Sequence, residues 1–413
     1  MRPLPPLPDW VRFEHQVAKI LNTQEENGWT FNERAAWELT STLQKEYEET
    51  CKILRERFPQ VKASEFTPKR NNRTQGYVQG APFTKLKELN PTSRDHIAWI
   101  LKTHCGWTPS STTSTGKPVI DEVILKEIGT EISMMFYKCL DLTKKLGMLS
   151  EGNNAWLKLV TNSKIHHHCS VATNTHRCAH RNPNLAQVPS DERFRKLFTA
   201  SPGLVMVGAD LAGIELRMLA HYLAPYDKGR YADILLNGDI HQVNADKIGI
   251  SRRLVKTVTY AFLYGAGDIK IGYSYSQRLS KDKARKKGKE IREAFVDAIP
   301  GLAILLERIK TKASSGAIKA VDGREIKVDS QHKALNYLLQ SSAGVIAKRW
   351  MVIADYQIKK QQVPAQQLAF IHDELQYEIT PKDIDELKYT LEYAAVRAGE
   401  YYGLRIPIAA EAK

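Results

Sequence analysis

Two aspartates set the first chemical expectation for this chain. Asp210 closes the apolar run LVMVGAD, and Asp373 lies in His372-Asp373-Glu374, between the runs LAFI and LQYEIT. Short β-branched runs of this kind read as buried strands, so each acid stands at a strand end. The two are 163 residues apart in the chain. Carboxylates at adjacent strand ends of one sheet can hold two Mg²⁺ ions about 3.5–4 Å apart, the clamp used for in-line displacement at phosphorus. Acids at strand ends are also ordinary turn residues, so the pair alone decides little.

A second constellation decides more. Arg252, Lys256, Tyr260 and Tyr264 recur every four residues. On a helix that spacing drifts only about 40° per step, so the four share one face. The cations occupy the first turns, where the helix dipole is positive and an anion is welcome. A triphosphate fits that end, and a base can stack on the tyrosine at the other. An ordinary amphipathic helix segregates Tyr and Arg onto opposite faces. Gly265-Ala266-Gly267 then stops the helix and permits close approach.

The elements that must position these groups follow from periodicity. Residues 10–58 read as two helices, 59–92 as an irregular loop rich in Pro, Gly, Asn and Arg, and 108–116 as a Ser/Thr loop. A long helical stretch from Val119 to Leu149 closes the first region. Helical segments dominate from Ile214 to Glu307, and Asp322-Gly323 is a two-residue hairpin signal. A helix from His332 to Gln357 precedes the second hairpin, whose turn carries the acids. The expected class is α+β, with a helical first third and a small antiparallel sheet later.

The chain has 413 residues, room for two or three packed units. Sixty basic residues against 46 acidic ones give a net charge of +14, a surplus that suits a polyanionic partner as well as a merely soluble basic protein. No run approaches the length a membrane helix needs, and the opening MRPLPPLPDW lacks a signal core, so a cytoplasmic protein without membrane contact is expected. The five scattered cysteines argue against a disulfide framework.

Three ordered segments resemble the family A DNA polymerases, and within them the replicative enzymes of short-tailed bacteriophages. Asp210-Leu-Ala-Gly-Ile-Glu215-Leu-Arg217 looks like the first motif of that family, Arg252-x3-Lys256-x3-Tyr260-x3-Tyr264-Gly265 like the second, and His372-Asp373-Glu374 like the third. The segments Asn184–Ser190, Asp239–His241 and Asn336-x3-Gln340 are also similar, as are GAPF and NPTSRDHI in the first region. The likeness runs from about residue 10 to the C-terminus. It implies a right-hand fold with an antiparallel-sheet palm, helical fingers and a helical thumb. Residues 1–165 would be thumb, with the N-terminal helices at the palm base, 166–221 and 336–413 palm, and 222–335 fingers.

The resemblance also implies roles. Asp210, Asp373 and the backbone at Leu211 would bind two Mg²⁺ ions, with Glu374 an acid of secondary importance. Arg252, Lys256 and His241 would hold the triphosphate, with Lys256 protonating the leaving pyrophosphate. Tyr264, Tyr260, Gly213 and Glu215 would complete the nucleotide site, Glu215 by blocking a ribose 2′-hydroxyl. Arg177, Gln187, Asn336, Gln340 and His372 would touch primer-template DNA. A tyrosine at position 260, rather than phenylalanine, goes with easy acceptance of dideoxynucleotides in this family. A single-subunit RNA polymerase or reverse transcriptase on the same palm, and a binding subunit that has lost chemistry, are the rival readings.

Departures shape the remaining expectations. Ala212 stands where the family usually has serine, His176 where a glycine usually precedes Arg177, and the chain stops at Lys413. No room exists for a 3′–5′ exonuclease domain, so a monomer without proofreading is expected, served by a separate exonuclease or processivity factor. Only the loop near Pro59–Gly80 occupies the place of a thioredoxin-binding insertion, so thioredoxin is not an expected partner. The basic run Arg278–Lys289 reads as a solvated helix face or a template contact. His166-His167-His168-Cys169 with His176, Cys178 and His180 looks superficially like a zinc cluster. Its spacing matches no common finger and Arg177 lies in its midst, which sets zinc aside.

Overall fold

The computed structural model describes residues 7–413 apart from Ser110, Ser114, Gln277 and Arg278; the first residue of the basic run Arg278–Lys289 therefore lies outside the described residues. In chain order the elements begin with α1 (Asp9–Asn27), β1 (Trp29–Phe31), α2 (Glu33–Arg57), β2 (Gln60–Phe66) and β3 (Phe83–Glu88). Then come α3 (Arg94–His104), α4 (Glu122–Ile128), α5 (Glu131–Leu146), α6 (Trp156–Leu159), β4 (Lys164–Ile165), β5 (His168–Ser170) and β6 (Ala179–Arg181). The middle holds α7 (Glu192–Arg195), β7 (Phe198–Thr199), β8 (Val205–Leu211), α8 (Ile214–Asp227), α9 (Arg230–Asn237), α10 (Ile240–Ile248) and α11 (Arg252–Leu263). The rest is α12 (Asp268–Tyr275), α13 (Lys281–Ala298), α14 (Leu302–Ala313), β9 (Ala317–Lys319), β10 (Glu325–Lys327), α15 (Ala334–Gln361), β11 (Gln366–Ile371), β12 (Glu374–Ile379), α16 (Ile384–Tyr401) and β13 (Ala410–Ala412). Among the described residues no helix is long and apolar enough to cross a membrane.

The chain divides into two compact units, Glu33–Lys158 and the remainder, Met1–Asn32 with Leu159–Lys413. Helix α1 lies outside the first unit and buries Phe13, Val17, Ile20 and Leu21 in the core of the other. Its own core gathers Cys51, Leu54, Ile97, Ile100, Leu101, Leu125, Phe136 and Cys139. Two expectations need correction here. Residues 59–92 are not all loop, since β2 and β3 pair from Gln60↔Glu88 to Phe66↔Phe83. Five of the six β3 residues are exposed, so no apolar alternation betrays that strand. The helix expected from Val119 to Leu149 is broken at Gly129, which takes φ 62°. Thr130 then caps α5 by accepting the Ser133 N–H, so the Gly-Thr pair ends one helix and starts the next.

The second unit is built on a four-stranded antiparallel sheet in the order β11-β12-β8-β13. The long helix α15 buries seventeen of its residues, among them Trp350, whose indole N–H donates to the Leu391 carbonyl of α16 at 2.8 Å. Glu14 of α1 pairs with Lys348 at 2.9 Å and with Arg324, which in turn holds Asp322 at 2.6 Å. This buried network fastens α1 and the β9–β10 hairpin to α15. That hairpin also differs from expectation. Its turn holds three residues, with Ala320 N–H donating to Arg324 O and Gly323 at φ 83°, because Gly sits at the last turn position rather than the second of two. The pair α12–α13 packs backbone to backbone: a Cβ at Gly288 would stand 1.7 Å from the Asp268 carbonyl oxygen. Only glycine permits that approach.

Candidate active site

The register of the central sheet brings the two aspartates together. β12 runs antiparallel to β8 with Glu374 opposite Asp210 and Leu375 opposite Ala209. Asp373 precedes Glu374 in the two-residue turn between β11 and β12, and its carbonyl accepts the Leu211 N–H at 3.0 Å. His372, the other turn residue, takes φ 59°, the left-handed backbone that a tight hairpin demands. A slip of one residue would turn every side chain to the opposite face, so the buried alternation of β8 and β12 fixes Asp210 and Glu374 on one side.

The acids repel one another. Burial, followed by the charges of Glu215 and Asp210, pushes the Asp373 carboxyl up to about 7. Asp210 is also raised, by burial and then by Glu374, Glu215 and Glu411. Lys413 and Arg177 are the cations that oppose this. Such a concentration of oxygen donors short of positive charge is what a hard divalent cation relieves, so the residues present fit Mg²⁺.

Glu215, in the first turn of α8, is held on two sides. Arg177 Nη2 lies 2.6 Å from its Oε1, and Tyr264 Oη donates to the same oxygen at 3.1 Å. Gly213 enters that turn at φ 57°, and the Ala212 N–H donates to the Ala409 carbonyl. The backbone around position 212 is therefore fixed by the sheet edge, without a serine hydroxyl.

Helix α11 presents the graded face that its sequence spacing predicts. Val255, Val258, Thr259, Phe262 and Leu263 are buried, while Arg252 and Lys256 are exposed and Tyr260 is half-buried. Ser251 caps the helix by accepting the Leu254 N–H. The rings of Tyr260 and Tyr264 stack with centroids 6.5 Å apart. Both phenols feel the Glu215 and Asp373 charges, which ties the aromatic end of the stripe to the acids. At the cationic end Arg252 Nε meets Asp239 Oδ2 at 2.6 Å. Asp239 also caps α10, its Oδ1 accepting the N–H groups of His241 and Gln242. The hydrogen bond from Arg252 holds the Asp239 carboxyl below its ordinary range. The His241 ring is buried with Nδ1 unpartnered.

The profile of DNA polymerase family A matches residues 62–413. The chain is 31% identical to the DNA-directed DNA polymerase of Enterobacteria phage T3 and 30% identical to that of Escherichia phage T7, in each case over 98% of this chain and 68% of the relative. The chain belongs to DNA polymerase family A. Among solved structures, the POL domain of Pol1 from M. smegmatis, in complex with DNA primer-template and dNTP, is similar with a TM-score of 0.77 at 21% identity. That likeness covers 97% of this chain and 69% of the other, and it carries the polymerase fold.

The other expected site residues of this family A chain divide into three groups. Arg177 and His372 join the acid cluster, each feeling the other's charge or that of Glu215. His176 takes φ 57°, the conformation a glycine would supply, and its Nδ1 lies 2.5 Å from Ser341 Oγ. Gln340 is half-buried on α15 and Gln187 is exposed at the end of a single 3₁₀ turn. Asn336 lies near the N-terminal end of α15. It is buried, and its amide donates to the Leu263 carbonyl at 2.8 Å, closing the C-terminal end of α11.

Sequence reasoning misses two charged neighbours. Glu411 pairs in register with Asp210 on β13, a three-residue strand too short to show periodicity. Asp239 is read only as part of a motif, although an acid N-capping a helix ahead of a cationic helix start is a signal in itself.

Proposed function

We propose that this chain extends a primer 3′ end with deoxynucleotides on a DNA template by two-metal phosphoryl transfer, in the replication of a phage genome in the bacterial host cytoplasm. The observation that carries the reading is the β8–β12 register, which sets Asp210 and Asp373 side by side next to the face of α11. Asp210, Asp373 and the Leu211 backbone are the metal ligands, with Glu374 beside them. Two Mg²⁺ ions, when bound, supply activation of the primer hydroxyl and neutralise the pyrophosphate.

The chain's own residues do the rest. Arg252, Lys256 and His241 hold the triphosphate, and the exposed Lys256 ammonium donates a proton to the departing pyrophosphate. Glu215, pinned by Arg177 and Tyr264, cannot swing aside for a 2′-hydroxyl. Tyr264 stacks near the nascent pair and moves with α11 as the site closes. Arg177, Gln187, Asn336, Gln340 and His372 line the path of primer and template. Glu33–Lys158 serves as thumb, the central sheet as palm and α9–α14 as fingers. Processivity is left to a partner other than thioredoxin.

The test is extension of a labelled primer with Mg²⁺, wild type against Asp210→Ala. The wild type is expected to extend with dNTPs and the variant to lose at least about 1,000-fold in rate. Extension preferring rNTPs or an RNA template would favour the rival polymerases, and none at all the binding-subunit reading. Within the same assay, Tyr260→Phe is expected to raise discrimination against dideoxynucleotides by about 10- to 100-fold, the worth of one hydrogen bond in a dry site. Equal discrimination by both proteins would refute the role given to that hydroxyl.

A further inference from the structure

Three side chains that the polymerase chemistry leaves unused converge on the β5–β6 ribbon. Cys169 and His180 are direct cross-strand partners. His167, two residues before Cys169, projects from the same face. All three are buried, and one donor atom from each lies within 4.8 Å of the others. Cys169 Sγ is 3.3 Å from His180 Nδ1. The Gln24 amide nitrogen faces His167 Nε2 at 3.2 Å and Cys169 Sγ at 3.5 Å, so an amide N–H sits where a cation shared by those two atoms would displace it. With Nδ1 turned to Cys169, His180 Nε2 lies on the other side of the ring, buried and without a hydrogen-bond partner.

Strand alternation removes the objection raised by the sequence. Arg177, which the spacing puts in the middle of the cluster, points instead at Glu215. His168 turns the other way, to Glu25 Oε2 at 2.8 Å, and His166 Nδ1 meets the Glu25 carbonyl at 2.7 Å. What remains with donor atoms within 4.8 Å of one another is two imidazoles and one thiol; Cys178 is buried nearby but is not one of the three.

We propose that His167, Cys169 and His180 form a binding site for a borderline-soft divalent cation, zinc foremost, distinct from the acid pair. The donor set selects the ion. Nitrogen and sulfur suit Zn²⁺, whereas Mg²⁺ takes oxygen. With metal–nitrogen bonds of about 2.0–2.1 Å and metal–sulfur bonds of about 2.3 Å, tetrahedral ligands stand about 3.5 Å apart, close to the Cys169–His180 separation. On binding, the Cys169 S–H bond breaks, the sulfur–zinc bond forms and the proton passes to solvent; water fills the fourth position. The His180 ring meets the His372 ring edge-on at 6.1 Å, so the ion would brace the underside of the hairpin that carries Asp373.

Cobalt substitution tests the site. The full chain, stripped with chelator and titrated with Co²⁺, is expected to show a thiolate-to-cobalt absorption band that saturates at one equivalent. Zn²⁺ should erase the band and excess Mg²⁺ should not. Cys169→Ser, nearly the same shape, should lose the band and weaken zinc retention by about 100-fold or more. Asp210→Asn with Asp373→Asn should keep both, which separates this site from the catalytic one. The proposal is overturned by a folded wild type that gives no band and retains no zinc after gel filtration. Undiminished zinc retention in Cys169→Ser, or loss of it in the aspartate variant, overturns it equally.

Discussion

Asparagine in place of Asp373 is expected to abolish primer extension and, at pH 8 without divalent ions, to leave the folded chain more stable than the wild type. The loss follows from removing one of two carboxylates that would share the metal ions, worth at least about 1,000-fold in rate. The gain follows from the crowding of acids. The Asp373 carboxyl rises from an ordinary 3.8 to about 7 in the folded chain, chiefly through burial and then through Glu215 and Asp210. Between those values the folded state binds a proton that the unfolded state has released. Stability therefore falls as pH climbs through that window, and the ionised form is disfavoured above it. Asparagine carries no such slope. The expected gain at pH 8 is about 1–3 kcal/mol, a Tm increase of about 2–5 °C. Scanning calorimetry at pH 5 and pH 8 checks the sign, because the gap between the proteins should narrow at the lower pH. Mg²⁺ should close it too, by stabilising the wild type alone. Equal melting at pH 8, or surviving extension, would sink the account.

Lys256→Ala is expected to cost about 100- to 10,000-fold in the single-turnover rate, the range for loss of a general acid together with its charge. The side chain is exposed, so the fold should lose no more than about 0.5 kcal/mol. Lys256→Arg separates the two contributions. Arginine keeps the positive charge and so retains nucleotide affinity, but it does not give up a proton in this range. The arginine variant should bind dNTP as the wild type does, while recovering little of the rate. Full recovery by arginine would reduce Lys256 to a point charge.

Those two residues were legible for different reasons. The stripe on α11 needed only helical geometry, since spacing by four and a Ser251 cap specify a face and a start. The acids needed two strands to pair, which periodicity cannot supply; the apolar runs ending in Asp210 and flanking Asp373 gave strand ends, and the resemblance joined them. What stayed hidden was short, exposed or long-range. β3 shows its side chains to solvent, β13 has three residues, and the Glu215–Arg177–Tyr264 triangle spans three segments. The break at Gly129 was within reach, because glycine followed by a capping threonine is a stop and a start. The convergence of His167, Cys169 and His180 was concealed by intervening letters that the pleat sends outward.

The central sheet has a consequence for how the enzyme is made. β8 is flanked by β12 and β13, strands drawn from the last forty residues of the chain. Until those residues leave the ribosome, Asp210 has no strand on either side, and of the acids around it only Glu215 has been made. Pairing over so long a loop is slow and follows synthesis rather than accompanying it. A nascent chain truncated before Glu374 thus lacks α16 and both of the strands that flank β8.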